Sequence, residues 1–162
     1  RHARLLSAME GFTVSAPAKN LQVPEADVPQ MVSQAVKEIS SQPATKVLII
    51  EDEPIISLDL QSIVREMGHS VAAIATTRDE AVRAARRTEP GLVLADIKLA
   101  DGSSGIDAVK QILSEVTVPT VFITAYPERL LTGERPEPTF LVTKPFVPET
   151  VRVAVSQALL FA

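Results

Sequence analysis

Five polar side chains stand where short apolar runs of the sequence end. Glu51 and Asp52 follow KVLII, Asp96 closes LVLAD, Thr124 closes TVFIT, and Lys144 follows TFLVT. If these runs are parallel strands, their carboxyl ends meet at one edge of a sheet, where α/β proteins place their ligands. The sequence therefore predicts one site that contains three carboxylates, a hydroxyl and an ammonium group.

Three neighbouring carboxylates repel one another unless a cation separates them. Mg²⁺ suits such a set, because it prefers oxygen ligands and keeps positions for water or a phosphate oxygen. One carboxylate can then accept a phosphoryl group as a nucleophile, while Lys144 and Thr124 stabilise the negative charge on the phosphoryl oxygens. An isolated Asp at the position of Asp96 would more often cap the next turn. The polar residues at the other strand ends favour a reactive role for Asp96 instead.

The elements that would position these residues alternate along the chain from residue 46 onward. Pro54 suits the first position of a helix, and Thr77 with Glu80 forms a capping box for the next one. The alternation predicts an α/β fold, a five-stranded, doubly wound parallel sheet with helices on both faces. The predicted strands are 46–50, 70–75, 92–96, 120–124 and 139–143, and the predicted long helices are 54–67, 78–89, 105–115 and 148–161.

Several further residues have ordinary structural explanations. We expect Glu53 and Asp101 to be helix-start and turn acids without a role in the site, and His69 to be exposed. The segment AYPERLLTGERPEP, between the last two predicted strands, contains three Pro and one Gly. It predicts a short or irregular fourth helix with a mobile loop, in which Leu130 could be either a core residue or a contact for a partner.

Composition restricts the function classes. Hydrophobic residues make up 46% of the 162 residues, the chain has no Cys, and the net charge is −4. No apolar stretch is long enough to span a membrane, so we expect a cytoplasmic protein with a core of its own. The chain lacks an initiator Met, which predicts a fragment of a longer protein.

At this point the motifs LIIEDEP, LVLADIKL, FITAY and TKPF resemble, in order, the four signature blocks of the response-regulator receiver domain. The resemblance implies a flavodoxin-like fold and makes Asp96 the phosphoacceptor of a two-component signalling protein. It implies that Mg²⁺ is bound by Asp52, Asp96 and the backbone carbonyl of Lys98, with help from Glu51. A histidine kinase or a phosphotransfer protein would be the donor, and the chain would not be an enzyme beyond slow autodephosphorylation.

The same resemblance assigns the switch residues. Thr124 and Lys144 would contact the phosphoryl oxygens, and the Lys144–Pro145 bond is cis in the family. The aromatic switch position of receivers is Leu141 here, while Phe140 should face the opposite side of its strand. Tyr126 could substitute for the missing aromatic residue.

The sequence also resembles the PhyR class of alphaproteobacterial general stress response regulators. This resemblance implies that residues 1–40 are the C-terminal part of a sigma-factor-like domain, a small all-α, region-4-like helix-turn-helix piece. Residues 41–45 would be a linker and residues 46–162 the receiver domain. By this resemblance the sigma-like piece docks on the receiver, and phosphorylation frees it to sequester a NepR-like anti-sigma factor.

Two other functions remain possible on the residues alone. The helix-turn-helix could bind DNA, although residues 1–43 carry four basic and four acidic side chains and thus no net charge for a DNA backbone. The chain could also be a Mg²⁺-dependent phosphatase with Asp96 as nucleophile, but Lys98 then occupies the place of the usual second acid. We therefore expect no DNA binding and no turnover of phosphate esters.

Overall fold

The computed structural model of the chain describes residues 42–131 and 139–160. These residues form five strands and five helices in strict alternation. The elements are β1 (Lys46–Ile50), α1 (Pro54–Glu66), β2 (Ser70–Ala75), α2 (Arg78–Thr88), β3 (Leu92–Ala95), α3 (Gly105–Leu113), β4 (Thr120–Thr124), α4 (Glu128–Leu131), β5 (Thr139–Thr143) and α5 (Pro148–Leu160).

The five strands form one parallel sheet in the order β2-β1-β3-β4-β5. Alternate strand residues point to opposite faces, so Leu48 and Ile50 contribute to one hydrophobic cluster and Val47 and Ile49 to another. Helices α2 and α3 cover the first cluster, and α1 and α5 cover the second. The predicted doubly wound sheet is thus confirmed.

The sheet has a topological switch point between β1 and β3. From β1 the chain continues to β2 on one side, and from β3 it continues to β4 on the other side, so the two connections diverge. This divergence leaves a crevice at the carboxyl ends of β1 and β3. The backbone N–H of Asp96 still donates to the carbonyl of Ile50 at 2.8 Å. Asp96 therefore emerges beside the end of β1, where Glu51 and Asp52 follow.

Local sequence signals explain most of the element boundaries. Pro54 is the first residue of α1, and the Thr77 hydroxyl accepts a hydrogen bond from the backbone N–H of Glu80 at the start of α2. The Glu80 carboxylate accepts from the backbone N–H of Thr76, one residue before the cap, at 2.8 Å. Strand β3 and helix α3 end one or two residues earlier than predicted, as element ends commonly do.

Three predictions about individual positions have clear outcomes. Helix α4 is short, as expected, and Leu130 lies in the core at 3% exposure. The prediction that His69 is exposed is wrong, because its ring is buried and its Nδ1 accepts the backbone N–H of Thr45 at 3.1 Å. The predicted helices of residues 1–40 and the loop 132–138 lie outside the described residues. Among the helices that the structure describes, none is long and apolar enough to cross a membrane.

Candidate functional site

The carboxyl ends of β1 and β3 bring three acidic side chains together. One carboxylate oxygen each from Glu51, Asp52 and Asp96 lies within 4.8 Å of the other two. Glu51 and Asp96 are buried, at 2% and 6% exposure, whereas Asp52 is partly open to solvent. The sequence-based expectation that strand ends would gather these acids is therefore met in the geometry.

Lys144 reaches this acidic cluster from the end of β5. Its backbone N–H donates to the carbonyl of Thr124 at 2.9 Å. The chain therefore leaves β5 directly beside the end of β4. Its Nζ lies 3.0 Å from Asp96 Oδ2, 2.9 Å from Glu51 Oε1 and 2.7 Å from Glu53 Oε2. The ammonium group thus neutralises part of the charge that three carboxylates would otherwise concentrate.

The contact with Glu53 corrects the sequence-based expectation for this residue. Glu53 precedes α1, as expected of a helix-start acid, but its side chain makes no capping hydrogen bond. It turns instead to Lys144, and its backbone N–H donates to Glu51 Oε2 at 3.1 Å. Asp101, the other acid expected to have only a structural role, does act as a turn residue: its carboxylate accepts the backbone N–H of Ser103 at 3.0 Å.

Burial and charged contacts shift the pKa values of Glu51 and Lys144. Burial raises the pKa of Glu51 to about 7, although the contacts with Lys144 and with the backbone N–H of Glu53 act in the opposite direction. Burial alone would lower the pKa of Lys144, but its contacts with the carboxylates of Glu53, Glu51 and Asp96 outweigh it and raise that pKa. Lys144 is therefore a permanent cation in this site.

One oxygen of the cluster is left without a hydrogen bond. Glu51 Oε1 is buried and has no hydrogen-bond partner within the described part of the chain. It lies 2.9 Å from Lys144 Nζ, which makes an ion pair but not a well-aligned hydrogen bond. A buried carboxylate oxygen of this kind requires further compensation. Hard oxygen ligands from three carboxylates fit Mg²⁺, which typically takes one or two carboxylates together with water.

Thr124 lies at the end of β4 with its side chain fully buried. Its hydroxyl oxygen accepts the backbone N–H of Tyr126 at 3.0 Å. Tyr126 is 38% exposed, and two cations lie near its ring, with Lys98 Nζ 5.7 Å and the Arg129 guanidinium carbon 5.5 Å from its centroid. Tyr126 is thus linked to the site through Thr124 and through the residue two positions after Asp96.

The expected arrangement of β5 is also observed. Leu141 contacts the cluster under α2 and α3, and Phe140 contacts the opposite cluster under α1 and α5. The residue at the usual aromatic switch position is therefore aliphatic, and the neighbouring aromatic ring points away from it. The Lys144–Pro145 bond is cis.

Gly105 is a residue of the site that the sequence analysis missed. A Cβ atom at this position would lie 1.7 Å from the carbonyl oxygen of Asp96, so only glycine allows the start of α3 to approach the acid so closely. The backbone N–H of Gly105 donates to the carbonyl of Ile97 at 2.7 Å, and the Asp96 Oδ1 atom accepts the N–H of Ile97. The only available signal was a Gly at the first position of a predicted helix.

Comparison with known proteins agrees with this arrangement. A family model described as the response regulator receiver domain matches residues 47–156. The chain belongs to this family. A second model, described as the sigma-like domain of the response regulator PhyR, matches residues 1–42, so the chain joins a stretch similar to that domain to a receiver domain.

Several PhyR proteins resemble the chain over nearly its whole length. The phyllosphere-induced regulator PhyR of Methylorubrum extorquens is 52% identical over 99% of this chain and 61% of its own length. The crystal structure of the response regulator PhyR from Brucella abortus is 56% identical, with a TM-score of 0.84 over 98% of this chain and 65% of that one.

A third relative was solved with a partner. The co-crystal structure of the anti-anti-sigma factor PhyR with the anti-sigma factor NepR from Bartonella quintana is 51% identical, with a TM-score of 0.54. It covers 98% of this chain and 65% of that one. The chain thus spans less than two thirds of the length of these relatives, between 61% and 65%.

Proposed function

We propose that this chain is the receiver domain and the adjoining part of the sigma-like domain of a stress-response switch. Phosphorylation of Asp96 would control the release of the sigma-like module, which would then sequester an anti-sigma factor. The observation that carries this proposal is the position of Asp96, buried at the end of β3 between two further acids and within 3.0 Å of Lys144. We assign residues 1–40 to the sigma-like module, residues 41–45 to the linker and residues 46–162 to the receiver.

Asp96 acts as the nucleophile in this scheme. One of its carboxylate oxygens forms a bond to the phosphorus of the donor, while the bond between phosphorus and the donor breaks and its electron pair leaves with the donor. Lys144 changes its partner from the carboxylate to the new phosphoryl oxygens. The Ile97 N–H holds the other carboxylate oxygen, which orients the nucleophile.

The metal in this proposal is Mg²⁺, held by Glu51, Asp52 and Asp96 with the backbone carbonyl of Lys98. When bound, Mg²⁺ supplies positive charge that stabilises the anionic oxygens of the phosphoryl group during transfer. The unpaired Oε1 atom of Glu51 and the three converging carboxylates support this assignment. Lys98 stands two residues after Asp96, where phosphatases with such a nucleophile usually carry a second acid, and this supports a chain that holds a phosphoryl group rather than turning over phosphate esters.

Thr124 is the residue that would report phosphorylation to the rest of the protein. Its hydroxyl now accepts the N–H of Tyr126, and the same hydroxyl would donate to a phosphoryl oxygen on Asp96. This change at Thr124 would alter the position of Tyr126 and of the segment that follows it. A difference in contacts between the two states is what lets phosphorylation shift a docking equilibrium.

The partners follow from the same scheme. A histidine kinase or a phosphotransfer protein supplies the phosphoryl group, and a NepR-like anti-sigma factor binds the released module. The co-crystal structure of the Bartonella quintana relative with the anti-sigma factor NepR supports the second partner. Partners of this kind support a cytoplasmic location. The alternative of a DNA-binding regulator depends on residues 1–40, which match a sigma-like domain model and carry no basic excess.

A binding titration tests the proposed switch. The chain, with and without phosphorylation by a small acyl phosphate and Mg²⁺, is titrated with a NepR-like anti-sigma factor, and Asp96→Asn serves as the control. Phosphorylation should change the affinity of the wild-type chain at least tenfold and leave the affinity of the Asp96→Asn variant unchanged. Equal affinities in all four samples would contradict the proposal.

A further inference from the structure

Glu53 has no part in binding metal or accepting the phosphoryl group in the proposed function, yet it holds the ammonium group that this chemistry needs. Its Oε2 atom accepts a hydrogen bond from Lys144 Nζ at 2.7 Å, the shortest of the three carboxylate contacts of that group. Its backbone N–H also donates to Glu51 Oε2. One residue between β1 and α1 therefore positions both a buried acid and the lysine that faces it.

Two of the three donors of Lys144 are hydrogen-bonded in this state, to Glu53 and Asp96, and Glu51 Oε1 lies close to the same ammonium group. An ammonium group has three N–H donors, and Nζ lies within 3.0 Å of three different carboxylates. A phosphoryl group on Asp96 would bring new anionic oxygens to the same ammonium group. The contact with Asp96 passes to its own phosphoryl group, and a second phosphoryl oxygen on Lys144 must then displace Glu51 or Glu53.

Solvent exposure decides which contact is released most easily. The side chains of Glu51 and Asp96 are 1% and 7% exposed, whereas that of Glu53 is 59% exposed. Glu51 would remain a buried, uncompensated carboxylate if it lost its cation, which is strongly destabilising. Glu53 can turn into water, which replaces the lost contact at small cost.

We propose that Glu53 is a positioning residue that restrains Lys144 in the unphosphorylated protein and competes with the incoming phosphoryl group for it. This inference rests on the proposed function of Asp96 and specifies how that site is restrained before phosphorylation. The Glu53 contact reduces the fraction of molecules in which Lys144 is free to meet an anionic donor. Phosphorylation displaces the Glu53 side chain into solvent.

Chemical labelling tests the restraint without metal or phosphorylation. Acetic anhydride modifies lysines that are free to react, and peptide mass spectrometry measures the modified fraction of Lys144 in the wild type, Glu53→Gln, Glu53→Asp and Glu66→Gln. Gln loses the charge, and Asp keeps the charge but is one methylene shorter. Glu66→Gln removes the same charge at the other end of α1, about 20 Å away at 1.5 Å per residue.

The expected labelling differs between the variants. Labelling of Lys144 should rise about two- to fivefold in both Glu53 variants, the range for an ion pair with one exposed partner, and stay at the wild-type level in Glu66→Gln. Labelling of the distant Lys110 should be the same in all four proteins. Equal labelling of Lys144 in the wild type and in both Glu53 variants would overturn the proposal.

Phosphorylation rates test the competition. With Mg²⁺ and a small acyl phosphate, intact-mass analysis should show Glu53→Gln and Glu53→Asp gaining a phosphoryl group about two- to fivefold faster than the wild type. If only Glu53→Gln were faster, charge repulsion of the donor would be the cause and competition for Lys144 would be refuted. If no protein were phosphorylated while Lys144 labelling rose, the restraint would be supported and the proposed function would fail.

Discussion

Replacing Glu51 by Gln, in buffers free of divalent cations, should stabilise the protein at pH 8 but not at pH 4.5. Burial raises the pKa of Glu51 from its ordinary value of 4.5 to about 7. The folded protein therefore keeps a proton that the unfolded chain releases, so the stability of the wild type falls as the pH rises from about 4.5 to about 7. At about 1.4 kcal/mol per pH unit, the loss amounts to about 3 kcal/mol. Gln does not ionise and avoids this loss.

Urea denaturation followed by circular dichroism measures this effect. The free energy of unfolding is determined for the wild type and for Glu51→Gln at several pH values from 4.5 to 8. The difference between the two proteins cancels other titrating groups, including His69, whose pKa burial lowers. The difference should grow by about 3 kcal/mol in favour of the variant across this range. A difference that is constant with pH would show that folding does not raise the pKa of Glu51, and the reasoning would be refuted.

Three further predictions concern other parts of the described chain. Gly105→Ala should lower the free energy of unfolding by about 2 kcal/mol or more in urea denaturation, because the new Cβ would meet the Asp96 carbonyl. Gly102→Ala is the control: a Cβ there has no atom within 4 Å, and the φ of +83 should cost only about 1 kcal/mol. His69→Asn should gain stability relative to the wild type as the pH falls below about 6.5, since burial lowers the pKa of His69 and the folded state resists protonation. The difference between the melting temperatures of the two proteins at pH 5 and at pH 8 would show it, and a difference that does not change with pH would count against it. Thr124→Val should still be phosphorylated, but the fluorescence of Tyr126, the single tyrosine of a chain without tryptophan, should no longer respond to phosphorylation; a full response would mean that Thr124 does not link the two.

The sheet and most of the site could be predicted because the sequence carries these features locally. Short runs rich in Val, Ile and Leu give the strands, and helix boundaries follow from Pro54 and from the Thr77 cap. Once a parallel sheet is inferred, the residue at each strand end is placed at the same edge without knowledge of any tertiary contact. Asp96 and Lys144 are 48 residues apart in the sequence, and only this edge brings them together.

The positions that the sequence did not reveal depend on contacts between distant segments. Glu53 reaches Lys144 because the extended backbone before α1, at φ −87 and ψ 114, turns its side chain across the crevice to a residue 91 positions away. His69 is buried because β1 and β2 pair in parallel, which brings the Thr45 N–H against the ring. Gly105 is required because α3 begins directly against the Asp96 backbone. Neither composition nor periodicity encodes these approaches.

The central claim is that Asp96 is the group that accepts the phosphoryl group. The most direct measurement is intact-mass analysis of the wild type and of Asp96→Asn after incubation with Mg²⁺ and a small acyl phosphate. The wild type should gain the mass of one phosphoryl group, lose it again at high pH as an acyl phosphate does, and the variant should gain none. An adduct of equal yield on both proteins, or no adduct on the wild type, would contradict the account.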